Sequence, residues 1–266
     1  MKKWCLFFPY IYGFNTRAKT MVHRLSFIAL VFMPIYLHVL MMTNNKFPFG
    51  VFIVGFSAMY ATYEIGYIYN DVFTVIKEME PTKWLSMENN CFVQDKYPLL
   101  ISSRVIWILI CILILIKFQI ENALGFVICL CLIHFVFSLH NYFRGIENIF
   151  TNGGLQILKY ISVLLLFGTG INLMLHCFFI CIEIAFERTI EYALTRGYII
   201  KKIKLEKIDT FRIIYYLILS FAVLGLFFLN KRFISFLIIS IYLLLYRIIC
   251  KLLISNKKIS KSRAKQ

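Results

Sequence analysis

Tyr63-Glu64-Ile65-Gly66-Tyr67-Ile68-Tyr69-Asn70-Asp71-Val72-Phe73-Thr74-Val75-Ile76-Lys77-Glu78-Met79-Glu80-Pro81-Thr82-Lys83 is the stretch that decides how this chain is read. Its first part closes an apolar run that begins near Phe49; its second part carries acids, an amide and a proline. Acidic and amide groups therefore stand where a membrane helix meets water. Glu64 lies inside the apolar run, where an ionisable group costs on the order of 2.5–3.5 kcal/mol or more and calls for compensation. The stretch is either a cation–phosphate site or an ordinary helix end.

The rest of the composition supports the membrane reading. The chain has 266 residues, 61% of them hydrophobic, with a mean hydropathy of +0.78. Soluble domains are roughly 45–50% apolar. No linker-like stretch, low-complexity run or internal repeat interrupts the spans, so residues 1–266 read as a single integral membrane domain. The net charge is +16, from 29 Lys and Arg against 13 Asp and Glu. The positive-inside rule and anionic lipid headgroups account for that excess, and nucleic acid is not a partner. The eight cysteines form no paired C-x-x-C, and six lie in apolar runs as small hydrophobes.

A span needs ~20 mostly apolar residues, and about eight such runs follow one another. They cover roughly 25–42, 49–69, 105–118, 124–139, 155–167, 171–186, 213–229 and 233–254. Residues 1–23 carry Lys2, Lys3 and an aromatic run through Tyr12, with no small-residue cleavage site, and read as an interfacial segment rather than a signal peptide. Residues 255–266 form a basic tail. The expected fold is an all-α polytopic bundle. With both termini cytoplasmic, the turns at Lys46, Glu121, Gly168 and Lys231 share the outer face. The segments 70–103, 140–154, 187–212 and the tail then hold nearly all the Lys and Arg inside. The expected location is the cell membrane, plasma or inner.

This topology gathers the acids on one side. Asp71 and Glu78 are seven apart, about two helical turns, with Thr74 between them and Asn70 adding an amide oxygen. Carboxylates with an amide oxygen suit Mg²⁺, which is usually held together with substrate phosphates. The second row is Glu183, Glu187 and Glu191, spaced i, i+4, i+8 and expected on one helical face. Like charges at that spacing repel unless a cation or a base neutralises them. Two such rows could hold Mg²⁺ ions and a diphosphate between them; solvated juxtamembrane charge paired with Arg188, Arg196 or Lys201 is the plainer alternative. In the third inside-facing segment, Arg144 either clamps a phosphate or anchors the chain at the membrane face. Tyr60, Tyr63, Tyr67 and Tyr69 either line a lipid channel or pack at the interface, and Tyr67 joins the candidate substrate-binding set. His176 reads as a satisfied core histidine.

The two acidic rows, following the second and sixth spans, resemble the UbiA superfamily of membrane prenyltransferases. That family carries N-D-x-x-D-x-x-x-D after its second helix and D-x-x-x-D-x-x-x-D after its sixth. Here the first reads Asn70-Asp71-x-x-Thr74-x-x-x-Glu78 and the second Glu183-x-x-x-Glu187-x-x-x-Glu191. Thr74 stands in place of an acid, Glu replaces Asp at most other positions, and the chain has one span fewer than the family. Val72 and Pro81-Thr82-Lys83 also resemble the N-D-V … P-T-K run of a subgroup that transfers 5-phosphoribose to a polyprenyl phosphate. The R-x-R-P that follows there is absent, with Trp84-Leu85-Ser86-Met87 in its place.

The resemblance implies a Mg²⁺-dependent transferase acting on a polyprenyl phosphate or diphosphate, with a diphosphate-bearing or aromatic co-substrate. The implied metal set is Asp71, Glu78, Glu183, Glu187 and Glu191. Asp71 and Glu187 carry the catalytic role, and Asn70, Lys83, Arg144 and Tyr67 bind substrate. The alternative is a non-catalytic or degenerate membrane subunit, or a small-solute carrier.

Overall fold

The computed structural model describes residues 3–75, 85–143, 145–197 and 205–255. Among them every regular element is helical. A single turn of 3₁₀-helix, Lys3–Phe7, and α1, Ile11–Thr16, precede the bundle. The bundle comprises α2 (Met21–Met42), α3 (Phe49–Thr74), α4 (Met87–Asp95), α5 (Tyr97–Lys117), α6 (Ala123–Tyr142), α7 (Glu147–Leu164), α8 (Gly170–Arg196), α9 (Leu205–Leu229) and α10 (Ile234–Ser255). Seven helices are long and apolar enough to cross a membrane: α2, α3, α5, α6, α8, α9 and α10 with its first turn. The chain is thus an all-α multi-pass membrane bundle.

Of the eight expected spans, the fifth, 155–167, falls in α7, which is not among the seven found in the described residues. Its helix starts at Glu147, and the added turns carry Asn148, Thr151 and Asn152, so α7 is the least apolar of the long helices. Asn148 and Thr151 are nonetheless buried: the Asn148 amide donates to the Phe143 carbonyl (3.0 Å), and the Thr151 hydroxyl donates to the Asn148 carbonyl (3.3 Å). Across the bundle, His140 of α6 meets this polar face, its Nδ1 2.9 Å from the Thr151 hydroxyl.

α3 is the centre of the molecule. Of its apolar window, 83% is buried, against 22% to 39% for the other spans. Glycine lets neighbours approach it: a Cβ on Gly66 would lie 2.4 Å from the Phe137 ring of α6. The Gly66→Ala variant is expected to lose about 1–3 kcal/mol through overpacking, since a ring packed in the bundle has little room to retreat. Chemical unfolding in detergent micelles would read this, and an unchanged midpoint would show that α3 and α6 do not meet there.

Glu64 on α3 is fully buried, and so is its partner Arg104 on α5. The Arg104 guanidinium donates through Nε (3.2 Å) and lies within 3.1 Å through Nη2, while the Gly13 backbone N–H donates 2.8 Å to the other oxygen. Arg104 also donates to the Phe8 carbonyl (3.3 Å) and the Ser103 hydroxyl (2.9 Å). This network offsets the cost flagged in the sequence, and it ties the N-terminal segment to the bundle. Trp4 and Phe8 of that segment are exposed, as an interfacial reading expects, but Leu6 and Tyr12 are fully buried. Gly13 permits the docking, because a Cβ there would meet the Tyr60 hydroxyl at 2.0 Å.

Three of the four turns expected to share a face do share one end of the bundle. The Asn122 amide donates to the Gly168 carbonyl (2.9 Å) and the Asn172 amide to the Met42 carbonyl (3.0 Å). At the other end of α8, Gly197 with φ 74 adopts the left-handed conformation that closes a helix. The eight cysteines are free thiols.

Candidate functional site

The first acid of each row, Asp71 and Glu183, falls where its helix leaves α geometry. Asn70–Thr74 at the end of α3 and Cys181–Phe186 within α8 are π-helical turns, whose i→i+5 bonding inserts an extra residue into the helix. Such turns are rare and occur frequently at functional sites. A third, Ile28–Phe32, lies in α2.

In the first row Asp71 is buried and held from two sides. The Tyr12 hydroxyl donates to Oδ2 (2.7 Å), and the Arg17 guanidinium donates to Oδ1 (2.6 Å). The Asn70 amide lies 3.5 Å from the same Oδ1. Burial, and then the charge of Asp71, hold the Tyr12 hydroxyl well above the usual phenol range, so it stays a donor. The Arg17 guanidinium also covers the Tyr67 ring, 4.9 Å from its centroid. Thr74 is buried with its hydroxyl 3.4 Å from the Tyr69 carbonyl. Glu78, Lys83 and Arg144 lie outside the described residues.

The second row does not form a single face. Glu187 and Glu191 face an arginine cluster, whereas Glu183 turns away to His38 of α2 (2.8 Å). Glu183 lies within the π-turn itself, one turn before Glu187, and meets His38 there rather than an arginine. Glu187 pairs with Arg247 of α10 (3.1 Å), Arg212 of α9 (3.6 Å) and Arg188 (3.7 Å). Glu191 pairs with Arg212, and with Arg188 at 3.3 Å. Arg212 also takes Asp209 (2.6 Å). Three arginines and three carboxylates therefore neutralise one another across three helices.

The two ends meet in one interior through α7. The Tyr63 hydroxyl donates to the Leu155 carbonyl, and a Cβ on Gly153 would lie 3.4 Å from Thr189 of α8, so the first half of α7 sits level with both rows. From Asp71 the contacts run through Arg17 to Tyr67, whose ring lies 6.0 Å from that of Tyr63. The Lys159 ammonium lies over Tyr63 (5.6 Å) and Tyr160 (4.8 Å), held by the neutral Gln156 carbonyl (2.6 Å). Tyr160 in turn lies within Coulomb range of Arg188, Glu187, Arg247 and Tyr67. A separate cleft of about 270 Å³, lined by Ile65, Gly66, Tyr69, Tyr97, His134, Phe137, Ser138 and Asn141, carries no acid.

Of the residues expected at the site, the structure brings Asn70, Asp71 and Tyr67 together on α3 and Glu187 with Glu191 on α8. It assigns Glu183 to a different partner. Among the described residues no group of three or more His, Cys, Asp or Glu is placed to hold a metal ion, and Glu78 of the expected Mg²⁺ set lies outside them. Arginines occupy the carboxylates instead. The sequence offers Arg188 as a local partner of the glutamates; Arg17, Arg212 and Arg247 went unread, although a signal existed for one of them. Arg247 interrupts the apolar run 233–254, and an ionisable residue inside a span is a functional candidate by default. Arg17 and Tyr12 gave no such signal, because more than fifty residues separate them from Asp71. Comparison with protein-family models, with characterised proteins and with solved structures gives no match for this chain.

Proposed function

We propose that this chain is a membrane transferase of UbiA type acting on a polyprenyl phosphate or diphosphate. It either passes the prenyl group to an acceptor or adds 5-phosphoribose to the lipid phosphate. One observation carries the reading: Asp71, in the π-turn that ends α3, and Glu187, just after the π-turn of α8, border one run of cations and tyrosines in an otherwise apolar bundle. Guanidinium forks match phosphate oxygens bidentately, and carboxylates behind them fix their orientation. In this reading Arg17, Lys159, Arg188 and Arg247 take up the phosphates, Asp71 and Glu187 position them, and the tyrosines flank the lipid. Tyr67 keeps its place beside the substrate through its contact with Arg17. The protein sits in the cell membrane with both termini cytoplasmic, as the distribution of Lys and Arg favours.

The resemblance adds Mg²⁺. The described residues build no ligand group for it, and no step is drawn through it. The competing reading, a non-catalytic subunit or a solute carrier, is favoured by that same neutralisation of Asp71, Glu187 and Glu191 by arginine.

Turnover separates the two readings. Purified protein is offered labelled phosphoribosyl diphosphate with polyprenyl phosphate, and separately prenyl diphosphate with aromatic acceptors. Release of diphosphate from one pair is the expected result. Turnover of neither pair, together with a silent Asp71→Ala variant in cells, would leave the non-catalytic reading standing.

A further inference from the structure

His38, His176 and Glu183 form a second polar cluster, apart from the arginines. His38 and Glu183 are fully buried and His176 is 3% exposed. The two Nδ1 atoms of His38 and His176 lie 3.0 Å apart, and His38 Nε2 lies 2.8 Å from Glu183 Oε2. The stacked rings of Phe179 and Phe236 wall the cluster, with Phe236 4.7 Å from the His176 ring. All three residues sit within the spans α2 and α8.

The choice of partner is the informative feature. A buried carboxylate in a membrane span is costly unless it is paired. Glu187 and Glu191 take arginines, which cannot give up their charge. Glu183 takes a histidine, whose charge and tautomer are both free to change. The second Glu183 oxygen, Oε1, is buried and without a hydrogen-bond partner among the described residues. Tyr215 of α9 lies within Coulomb range of both Glu183 and Glu187, and its hydroxyl is committed to the Ile182 carbonyl. Cys177 and Cys181 flank the cluster on α8. Phe236 is what α10 contributes.

We infer that Glu183, His38 and His176 form a proton relay through the bundle. This goes beyond the transferase reading and does not rest on it. At rest Glu183 carries its proton on Oε2, His38 on Nδ1 and His176 on Nε2, so each short contact holds one proton and no unpaired charge is buried in the span. A proton arriving at Glu183 Oε1 releases the Oε2 proton to His38 Nε2. His38 then releases its Nδ1 proton to His176 Nδ1, and His176 releases its Nε2 proton. One proton enters and one leaves; both imidazoles exchange tautomer and no electron moves. Oε1 is the Glu183 oxygen without a hydrogen-bond partner among the described residues.

The full chain is reconstituted into liposomes holding a trapped pH dye, with a potassium diffusion potential to balance charge. Proton entry is expected to exceed that of protein-free vesicles at least tenfold. His38→Gln keeps a hydrogen-bonding side chain but cannot exchange a proton, so it is expected to remain monodisperse and to lose the excess flux. Should His38→Gln fail to fold, His176→Gln gives the same reading. Flux at the protein-free level in the wild type, or wild-type flux in a folded variant, would overturn the relay.

Discussion

Replacing Arg104 by alanine is expected to cost about 3–5 kcal/mol of stability, more than any other single change outside the site. Glu64 would remain fully buried on the central helix with its guanidinium partner gone. The Gly13 N–H alone cannot neutralise a carboxylate in a membrane interior. The Phe8 carbonyl would lose its donor as well, so the N-terminal segment should loosen along with α3. Removing both charges tells a different story. A Glu64→Leu, Arg104→Leu double variant is expected to fall close to wild type, because replacing a buried pair by apolar groups is often neutral. Denaturant unfolding in micelles distinguishes the two. If Arg104→Ala unfolds like wild type, the pair is not what holds α3, α5 and the N-terminus together.

The second large effect concerns activity. Asp71→Asn and Glu187→Gln are each expected to slow diphosphate release roughly 10²–10³-fold, the usual cost of losing one preorganised charge in a water-excluded site. The geometry gives the reason. Asp71 is the acceptor that fixes Arg17 over Tyr67, and Glu187 is shared by Arg188, Arg212 and Arg247. An amide cannot hold those forks, so the guanidinium groups would turn to other partners and the phosphate seat would lose its shape. Both variants keep the volume of the side chain. Arg17 is partly exposed, so the midpoint of Asp71→Asn should move far less than that of Arg104→Ala, and its rate loss would mark the site rather than the fold; Glu187→Gln strands the buried Arg247, so its rate loss is read beside its own midpoint.

The positions of the spans were legible because apolar runs of membrane length leave little choice, and the bundle follows them closely. The errors sit where hydropathy is ambiguous. Span 105–118 begins at Tyr97 in the structure, so Arg104 lies inside a helix rather than at its mouth, and the partner of Glu64 was hidden by that shift. α7 was read too short because its first two turns are polar, yet Asn148 and Thr151 there are buried, with Thr151 against His140 of α6.

Of the candidate site, Asp71, Glu187 and Glu191 were singled out by spacing and charge topology, and the structure buries all three. The i, i+4, i+8 row assumed an unbroken α-helix, and no residue from Cys181 to Phe186 announces a π-turn. His38, the partner of Glu183, lay unremarked in the first span. The arginines went unread for a related reason. Positive-inside reasoning treats every cation as an anchor to the membrane face, whereas Arg17, Arg212 and Arg247 point back into the protein to meet carboxylates.

The claim that two acid-bearing helices build one phosphate-handling site is tested most directly by diphosphate release from purified protein in lipid nanodiscs. Labelled phosphoribosyl diphosphate is supplied with polyprenyl phosphate, and prenyl diphosphate with an aromatic acceptor. The account predicts turnover of one pair, reduced at least a hundredfold by Asp71→Asn and equally by Glu187→Gln. Turnover of neither pair, or loss of activity in one variant but not in the other, would contradict it.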